Sequence, residues 1–512
     1  MGCSLMRQSE VDYRDVQGLV RFGYGKMKGA SYALLRIKGE AAARAWLRSA
    51  HITSAEAIKP PPSTALQVAF TASGLRALNV PPAVIESFSP EFLGGMSEKN
   101  RARRLGDIGS NAPCEWDWGY AACTPDLVVM FFADRHGLGG FIQDSKGNNW
   151  SEAFEELRWL GTADLDGVEP FGFADGISQP HIDWDRQRDV TLPQIDYSNV
   201  VALGEFLLGY PNEYNKYTDR PLLDPDPVSR DLFNAEDAPE KKDVGRNGTY
   251  LVLRQLKQDV RGFWRFANKQ SGGNAGEAEK LAAALVGRTR MGSPLVPGQE
   301  RPIPGVGPDP DEICLNQFTF AKDPKGTGCP FGAHVHRANP RNPDFPGRPT
   351  GLEKLITMLG FGPKGFRDDL MSPVRFHRIL RRGREYGPEL LPEDAVEPAP
   401  LDDPERGLHF VCLNANLLRQ FEFLQNAWMN TSKFSGLTEE TDPLLGNRQP
   451  VPGCPVTSDF TAPQKDGVPR RVSGLPQFVT VRGGAYFFLP SLRALAYFAD
   501  AGDAARRSSD AQ

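Results

Sequence analysis

Two stretches of the chain repeat the same alternation of strand and helix, and this repetition limits the possible folds more than any other feature. In the first, the apolar run "SYALLRIK" (31–38) predicts a strand and "GEAAARAWLRSA" a helix directly after it. A strand "ALQVAFT" (65–71), a helix "ASGLRALNV" and a strand "DLVVMFFAD" (126–134) follow. Few strands alternating with helices fit a βαββαβ unit. The pattern then returns. "TYLVLRQLKQD" (249–259) reads as a strand and "VRGFWRFANK" as a helix. "RFHRILRRG" (375–383) and "GLHFVCLNAN" (407–416) read as strands, and "LLRQFEFLQNAWMN" (417–430) as a helix. "GAYFFLPS" (484–491) closes the series as a strand, with a helix "LRALAYFA" after it. Two such units give an α+β fold of two sheets flanked by helices. A length of 512 residues also calls for more than one ordinary core.

Between the units lies an acidic, proline-rich tract, "YPNEYNKYTDRPLLDPDPVSRD…", which reads as linker or extended loop. The expected organisation is an N-terminal unit over 1–209, a linker or extended loop over 210–248, a C-terminal unit over 249–502 and a disordered tail over 503–512. A net charge of −5 with acids and bases interspersed argues against a nucleic-acid binder. There is no run of 18 apolar residues and no apolar signal core near the N-terminus, so no membrane span is expected and a cytoplasmic location is the default. Seven scattered cysteines without a CxxC pair argue against a disulfide framework or a zinc ribbon. The glycine cluster "GYGKMKG" (23–29) precedes a strand rather than following one, which is the wrong context for a dinucleotide loop.

The chemistry-bearing segments are few. "FGFADGISQP" (171–180) sets one carboxylate, Asp175, among aromatics and glycines. Such a carboxylate either caps a turn locally or exchanges protons. "GCPFGAHVHRANPR" (328–341) holds a thiol, two histidines and two arginines. It admits three readings: His334 and His336 as an HxH metal pair on a strand, Cys329 as a thiolate ligand to haem, or His334 as a single axial ligand beside cationic side chains. "HRILRRGREYG" (377–387) places Arg381 and Arg382 side by side. On a strand one of them faces inward and the other solvent. An inward arginine normally meets an anion. "QFEFLQNAWMN" carries Glu422 among aromatics, a candidate carboxylate behind a histidine ligand.

Taken together, these segments resemble the dye-decolorizing peroxidases. "GFADGISQP" has their GxxDG pattern, "CPFGAHVHRANPR" is similar to their proximal-histidine segment, and "RILRRGREYG" to their distal-arginine strand. "FVTVRGGAYFFLPSL" (478–492) is similar to their C-terminal strand, and the likeness runs from about Val16 to about Phe498. The resemblance implies two ferredoxin-like domains, with one haem b in the C-terminal one. It implies His334 as proximal iron ligand, Asp175 as distal acid, Arg381 as distal arginine and Glu422 as acidic partner of the proximal histidine. It further implies hydrogen peroxide as oxidant and small or bulky organic reductants, such as dyes and phenolics, as one-electron donors. Two positions depart from the family pattern. His336 stands where arginine is common, for which Arg337 and Arg341 are the candidate replacements, and Ala485 stands where an acidic residue is common. Tyr386 and Trp428 are candidates to carry oxidising equivalents from a buried haem to bulky donors. The rival readings are a haem carrier or sensor with little turnover, and a zinc hydrolase using the HxH pair.

Overall fold

A computed structural model describes residues 10–186, 200–296, 315–316, 318–341, 374–450, 456–464 and 466–509. The N-terminal βαββαβ unit comprises β1 (Gly29–Ile37), α1 (Glu40–Ser49), β2 (Ala65–Phe70), β3 (Leu127–Ala133), α2 (Leu138–Lys146) and β4 (Phe154–Gly161). The second unit begins with β5 (Thr249–Gln258), α3 (Val260–Gln270) and α4 (Ala275–Val286). It continues through the short helix α5 (His334–Ala338), β6 (Leu380–Arg381), β7 (Arg384–Tyr386) and β8 (Gly407–Asn414). It ends with β9 (Val479–Leu489) and α6 (Leu492–Ser509).

These nine strands form one antiparallel sheet in the order β6-β8-β5-β9-β2-β3-β1-β4, with β7 also paired to β8. Each half thus has the strand order of a ferredoxin-like unit, 4-1-3-2, and the halves meet edge to edge where Phe70 of β2 pairs with Phe488 of β9. Both faces of the sheet are covered, so central strands read as continuous apolar runs. All of β3, LVVMFFA, is buried. Its alternate residues go to opposite faces: Leu127, Val129 and Phe131 to one core, Val128, Met130 and Phe132 to the other. The first core also holds Phe171, Phe173, Leu256, Phe263 and Val479, and the cavity described below opens on this side. Helix α3 starts where the Asp259 carboxylate accepts from the Gly262 N–H at 2.8 Å and buries Phe263, Trp264 and Ala267 there.

Four expectations need correction. The segment 375–383 is not one strand: Val374–His377 forms a single tight helical turn and only Leu380–Arg381 pairs. The helix over 417–430 is present but wound in the wide i→i+5 register, as in the bonds from the Glu422 N–H to the Leu417 carbonyl and from Asn430 to Gln425. The acidic tract over 210–248 is extended but firmly packed. Arg220 pairs with Asp243 at 2.6 Å, both side chains buried, and Arg246 with Glu236 at 3.0 Å. Residues 503–509, expected as a disordered tail, continue α6, in keeping with their alanines and arginines. No helix among the described residues is long and apolar enough to cross a membrane.

The seam between the halves depends on Phe488, which is fully buried and has Phe88, Tyr250 and Phe498 around it, with ring centroids at 4.9, 6.1 and 6.4 Å. Phe488→Ala is expected to lower the unfolding free energy by about 3–5 kcal/mol, read as a lower urea midpoint. An unchanged midpoint would show that the edge-to-edge seam carries little of the stability.

Candidate active site

Asp175 sits on a loop made by two glycines. Gly172 and Gly176 have φ of 93° and 82°, which disfavours other residues at either position. The loop is fixed by the Asp175 N–H to the Gly167 carbonyl and the Ala174 N–H to the Arg290 carbonyl, each 2.9 Å. The Trp264 indole donates to the Phe171 carbonyl at 3.0 Å, tying the loop to α3. From β6 in the other half of the sheet, Arg381 Nη1 donates to Asp175 Oδ1 at 2.9 Å. The Arg381 N–H also donates to Gln179 Oε1 at 3.1 Å, a second tie between loop and strand. Partial withdrawal from water pushes the Asp175 carboxyl up, although 42% of its side chain is still accessible. The Arg381 charge, the Gly176 N–H, the Arg381 hydrogen bond and the His334 charge outweigh it, and the group lies below the usual aspartate range. Arg382 points to the opposite face as a strand requires, and is half-buried. It donates to the carbonyls of Leu19 and Val20, each at 2.9 Å.

His334 stands at the first turn of α5, and its Nδ1 is 2.9 Å from Asp442 Oδ2. Asp442 is fully buried and held in turn by the N–H groups of Leu444 at 3.0 Å and Leu445 at 2.7 Å on its other oxygen. With Nδ1 engaged, Nε2 is the nitrogen left to act as a donor. One cavity of about 240 Å³, largely apolar, is lined by Asp175, Arg381 and His334 together. Glu169, Arg288 and His377 also border it. The three residues singled out in three separate segments therefore face one space.

A multifunctional dye peroxidase of Amycolatopsis sp. is 30% identical over 450 residues, which span 83% of this chain and 80% of that protein. The chain belongs to the dye-decolorizing peroxidase family. It is a peroxidase. A dye-decolorizing peroxidase of Mycetinis scorodonius is 28% identical over 464 residues, 86% of this chain and 77% of that one. Among solved structures, a fungal DyP-type peroxidase from Auricularia auricula-judae aligns with a TM-score of 0.71 at 24% identity, covering 96% of this chain and 99% of that one. A dye-decolorizing peroxidase in complex with 2,6-dimethoxyphenol aligns with a TM-score of 0.70 at 23% identity, covering 96% and 100%. These likenesses bear on the fold. No protein-family model matches the chain.

Dye-decolorizing peroxidases are haem proteins, and the side chains around the cavity fit that group. Arg288 and Arg341 are both buried and converge on the Ser178 hydroxyl, at 2.9 and 3.0 Å. Their other partners are carbonyls and the Asn316 side-chain oxygen, and among the described residues neither meets a carboxylate. Burial pushes Arg288 down to about 10 and Arg341 well below its ordinary value. Two buried cations with no counter-charge among the described residues are costly, and an anionic cofactor edge beside Arg288, which borders the cavity, offsets that cost.

Several expected neighbours of the site lie elsewhere. Glu422 is not the partner of His334. Its buried carboxylate pairs with Arg101, is 3.4 Å from Arg104 and accepts from the Tyr486 hydroxyl at 3.0 Å. On the wide-wound helix, Glu422 turns toward the N-terminal unit, and Asp442 takes the place assigned to it. Asp442 had a faint signal in "EETDPLLG": an aspartate before proline, suited to capping the turn that follows. His336 cannot share a metal with His334, because positions two apart on a helix do not face each other. It stacks on Phe320 at 3.7 Å, and no third ligand gathers there among the described residues. Arg337 also turns away from the cavity and donates to the carbonyls of Trp428, Thr431 and Glu440. Ala485 packs in the core on the other face of the sheet, not at the pocket edge. Cys329 is buried, its thiol pushed up to about 12 chiefly by that burial, and it does not border the cavity.

If Glu422 only joins the two units, Glu422→Gln should lower stability by about 1–3 kcal/mol. The haem spectrum and the rate with peroxide should stay as in the wild type. A changed spectrum at unchanged stability would return Glu422 to the site.

Proposed function

We propose that the protein binds one haem b per chain and reduces hydrogen peroxide while oxidising organic donors such as dyes and phenolics one electron at a time. The observation that carries this reading is the convergence of Asp175, Arg381 and His334, backed by Asp442, on one cavity. Names borne by relatives and neighbours, which include a dye peroxidase and a complex with 2,6-dimethoxyphenol, support the donor class. Haem, when bound, supplies an iron that takes up peroxide and a ring system that accepts donor electrons singly.

Each side chain then has a defined task. His334 would offer Nε2 to the haem iron, and Asp442 holds the Nδ1 proton, which fixes the ring and makes Nε2 a stronger donor. Asp175, kept ionised, accepts the proton of the peroxide's inner oxygen and returns it to the outer oxygen, which leaves as water. Arg381 fixes the carboxylate and places positive charge where negative charge grows on the departing oxygen. Arg288, which borders the cavity, would neutralise the anionic edge of the cofactor, with Arg341 behind it on the Ser178 hydroxyl. For bulky donors, Trp428 touches the cavity wall through His377, with ring centroids 5.4 Å apart. Tyr386 stacks on His409 at 4.6 Å and donates to Glu405 at 2.9 Å.

Reconstitution tests the reading. The protein mixed with haem b should bind one equivalent with a sharp Soret band and bleach a large dye only when peroxide is present. His334→Ala should lose the Soret band. Haem binding without peroxide turnover would instead favour a carrier or sensor.

The pH profile has a definite sign. Asp175 works as the carboxylate and its proton affinity is lowered, so the lowest acid limb of the peroxide reaction should lie below the ordinary aspartate value of about 3.9. Arg381→Leu removes the leading cause of the lowering, and that limb should move upward. An unmoved limb would assign it to another group.

A further inference from the structure

The loop that carries Asp175 is folded around a second carboxylate. Glu169 borders the same cavity. Its Oε2 accepts from the Phe171 N–H at 3.0 Å and from Gln258 Nε2 at 2.7 Å. Its Oε1 accepts from the Phe173 N–H at 3.1 Å. The main chain of the same residue closes the turn again: the Glu169 N–H donates to the Phe173 carbonyl at 2.9 Å, and the Gly172 N–H donates to the Glu169 carbonyl at 2.7 Å. Gln258 is itself anchored at the end of β5, opposite Val479 of β9, with its N–H on the Arg406 carbonyl at 2.9 Å.

Three N–H donors meeting one side chain call for a group that only accepts, through two oxygens. An ionised carboxylate meets that need, whereas a glutamine offers one oxygen and sets an NH₂ against the remaining donors. Burial first, and then the nearby charge of Asp175, push Glu169 up to about 7, while the three hydrogen bonds act to keep it ionised. A half-buried acid this close to the reacting space would be a poor choice if the loop needed only an ordinary cap.

We propose that Glu169 is a positioning residue for the peroxide reaction: its carboxylate gathers the Phe171 and Phe173 amides and Gln258, and so holds the loop in the shape that brings Asp175 to Arg381. The inference rests on the role proposed for Asp175 and adds a residue that acts through it. Loss of the acceptor releases the loop from the sheet and leaves Asp175 in place chemically but misplaced in space. A displacement of about 1 Å at a reacting group costs on the order of 10²-fold in rate.

A double-mutant cycle on the haem-loaded protein tests this. Rates with H2O2 are measured by stopped-flow for wild type, Glu169→Gln, Asp175→Asn and the double variant, each normalised to bound haem. Glu169→Gln should slow the peroxide reaction by about 10- to 10²-fold and leave KM for the organic donor unchanged. In the Asp175→Asn background, Glu169→Gln should change the rate by no more than about twofold. Gln258→Met, which removes one donor and spares the acid, should act in the same direction by less. It carries the same cycle if Glu169→Gln fails to take up haem. A wild-type rate in Glu169→Gln, with Asp175→Asn slow, overturns this inference alone. The same holds if Glu169→Gln keeps its full effect in the Asp175→Asn background. A wild-type rate in Asp175→Asn overturns the reading of Asp175 and this inference with it.

Discussion

The ion pair between Asp175 and Arg381 is the contact on which the site depends. Its partners are 206 residues apart in the chain and lie 2.9 Å from each other. Arg381 is placed by β6, an edge strand only two residues long, and Asp175 by a loop with two left-handed glycines. Neither element would hold its geometry alone. They do so because two ferredoxin-like units share one continuous sheet, with the Phe488 seam in its middle and Arg382 tying the end of β6 back to the carbonyls of Leu19 and Val20. The pair then sets the chemistry. The guanidinium holds the carboxylate ionised in a mostly apolar cavity, where burial alone would favour the protonated form.

Opposite it, His334 and Asp442 form a second charge-assisted pair, and the contrast with Glu422 shows how such pairs are told apart. Both acids are buried and both are close to cations. Glu422 faces two arginines of the N-terminal unit and the buried Tyr486 of the C-terminal one, so it serves as a joint between units. Asp442 faces an imidazole whose other nitrogen remains for the cavity. The functional difference lies in what the partner does with its remaining donor, not in the burial of the acid.

Much of the fold was legible in the sequence because apolar runs of strand length carry their own signature. The strands at 31–38, 65–71, 126–134, 249–259, 407–416 and 484–491 were all expected within a few residues. Asp175, His334 and Arg381 were legible through local motifs that resemble a known family. Less legible were features decided by long-range packing. Glu422 looked like the proximal acid because it stands among aromatics on an expected helix where the family resemblance implies one, whereas in the wide winding over Leu418–Met429 it meets Arg101 and Tyr486. Asp442 and Glu169 sit in loops, where no periodicity says which way a side chain points. The acidic tract over 210–248 read as linker or extended loop from composition alone, and its firm packing was hidden because ion pairs such as Arg220 with Asp243 appear only once the chain has folded back.

The measurement that tests the account most directly is the rate at which the haem-loaded protein first reacts with hydrogen peroxide, followed at the Soret band by stopped-flow, in wild type and in Asp175→Asn. Asparagine keeps the shape of the loop and the contact with Arg381 but cannot accept the peroxide proton. The account predicts a fall of about 10²- to 10⁴-fold at equal haem content. A rate within about threefold of wild type would contradict it, and would leave Arg381 alone to support cleavage of the peroxide bond.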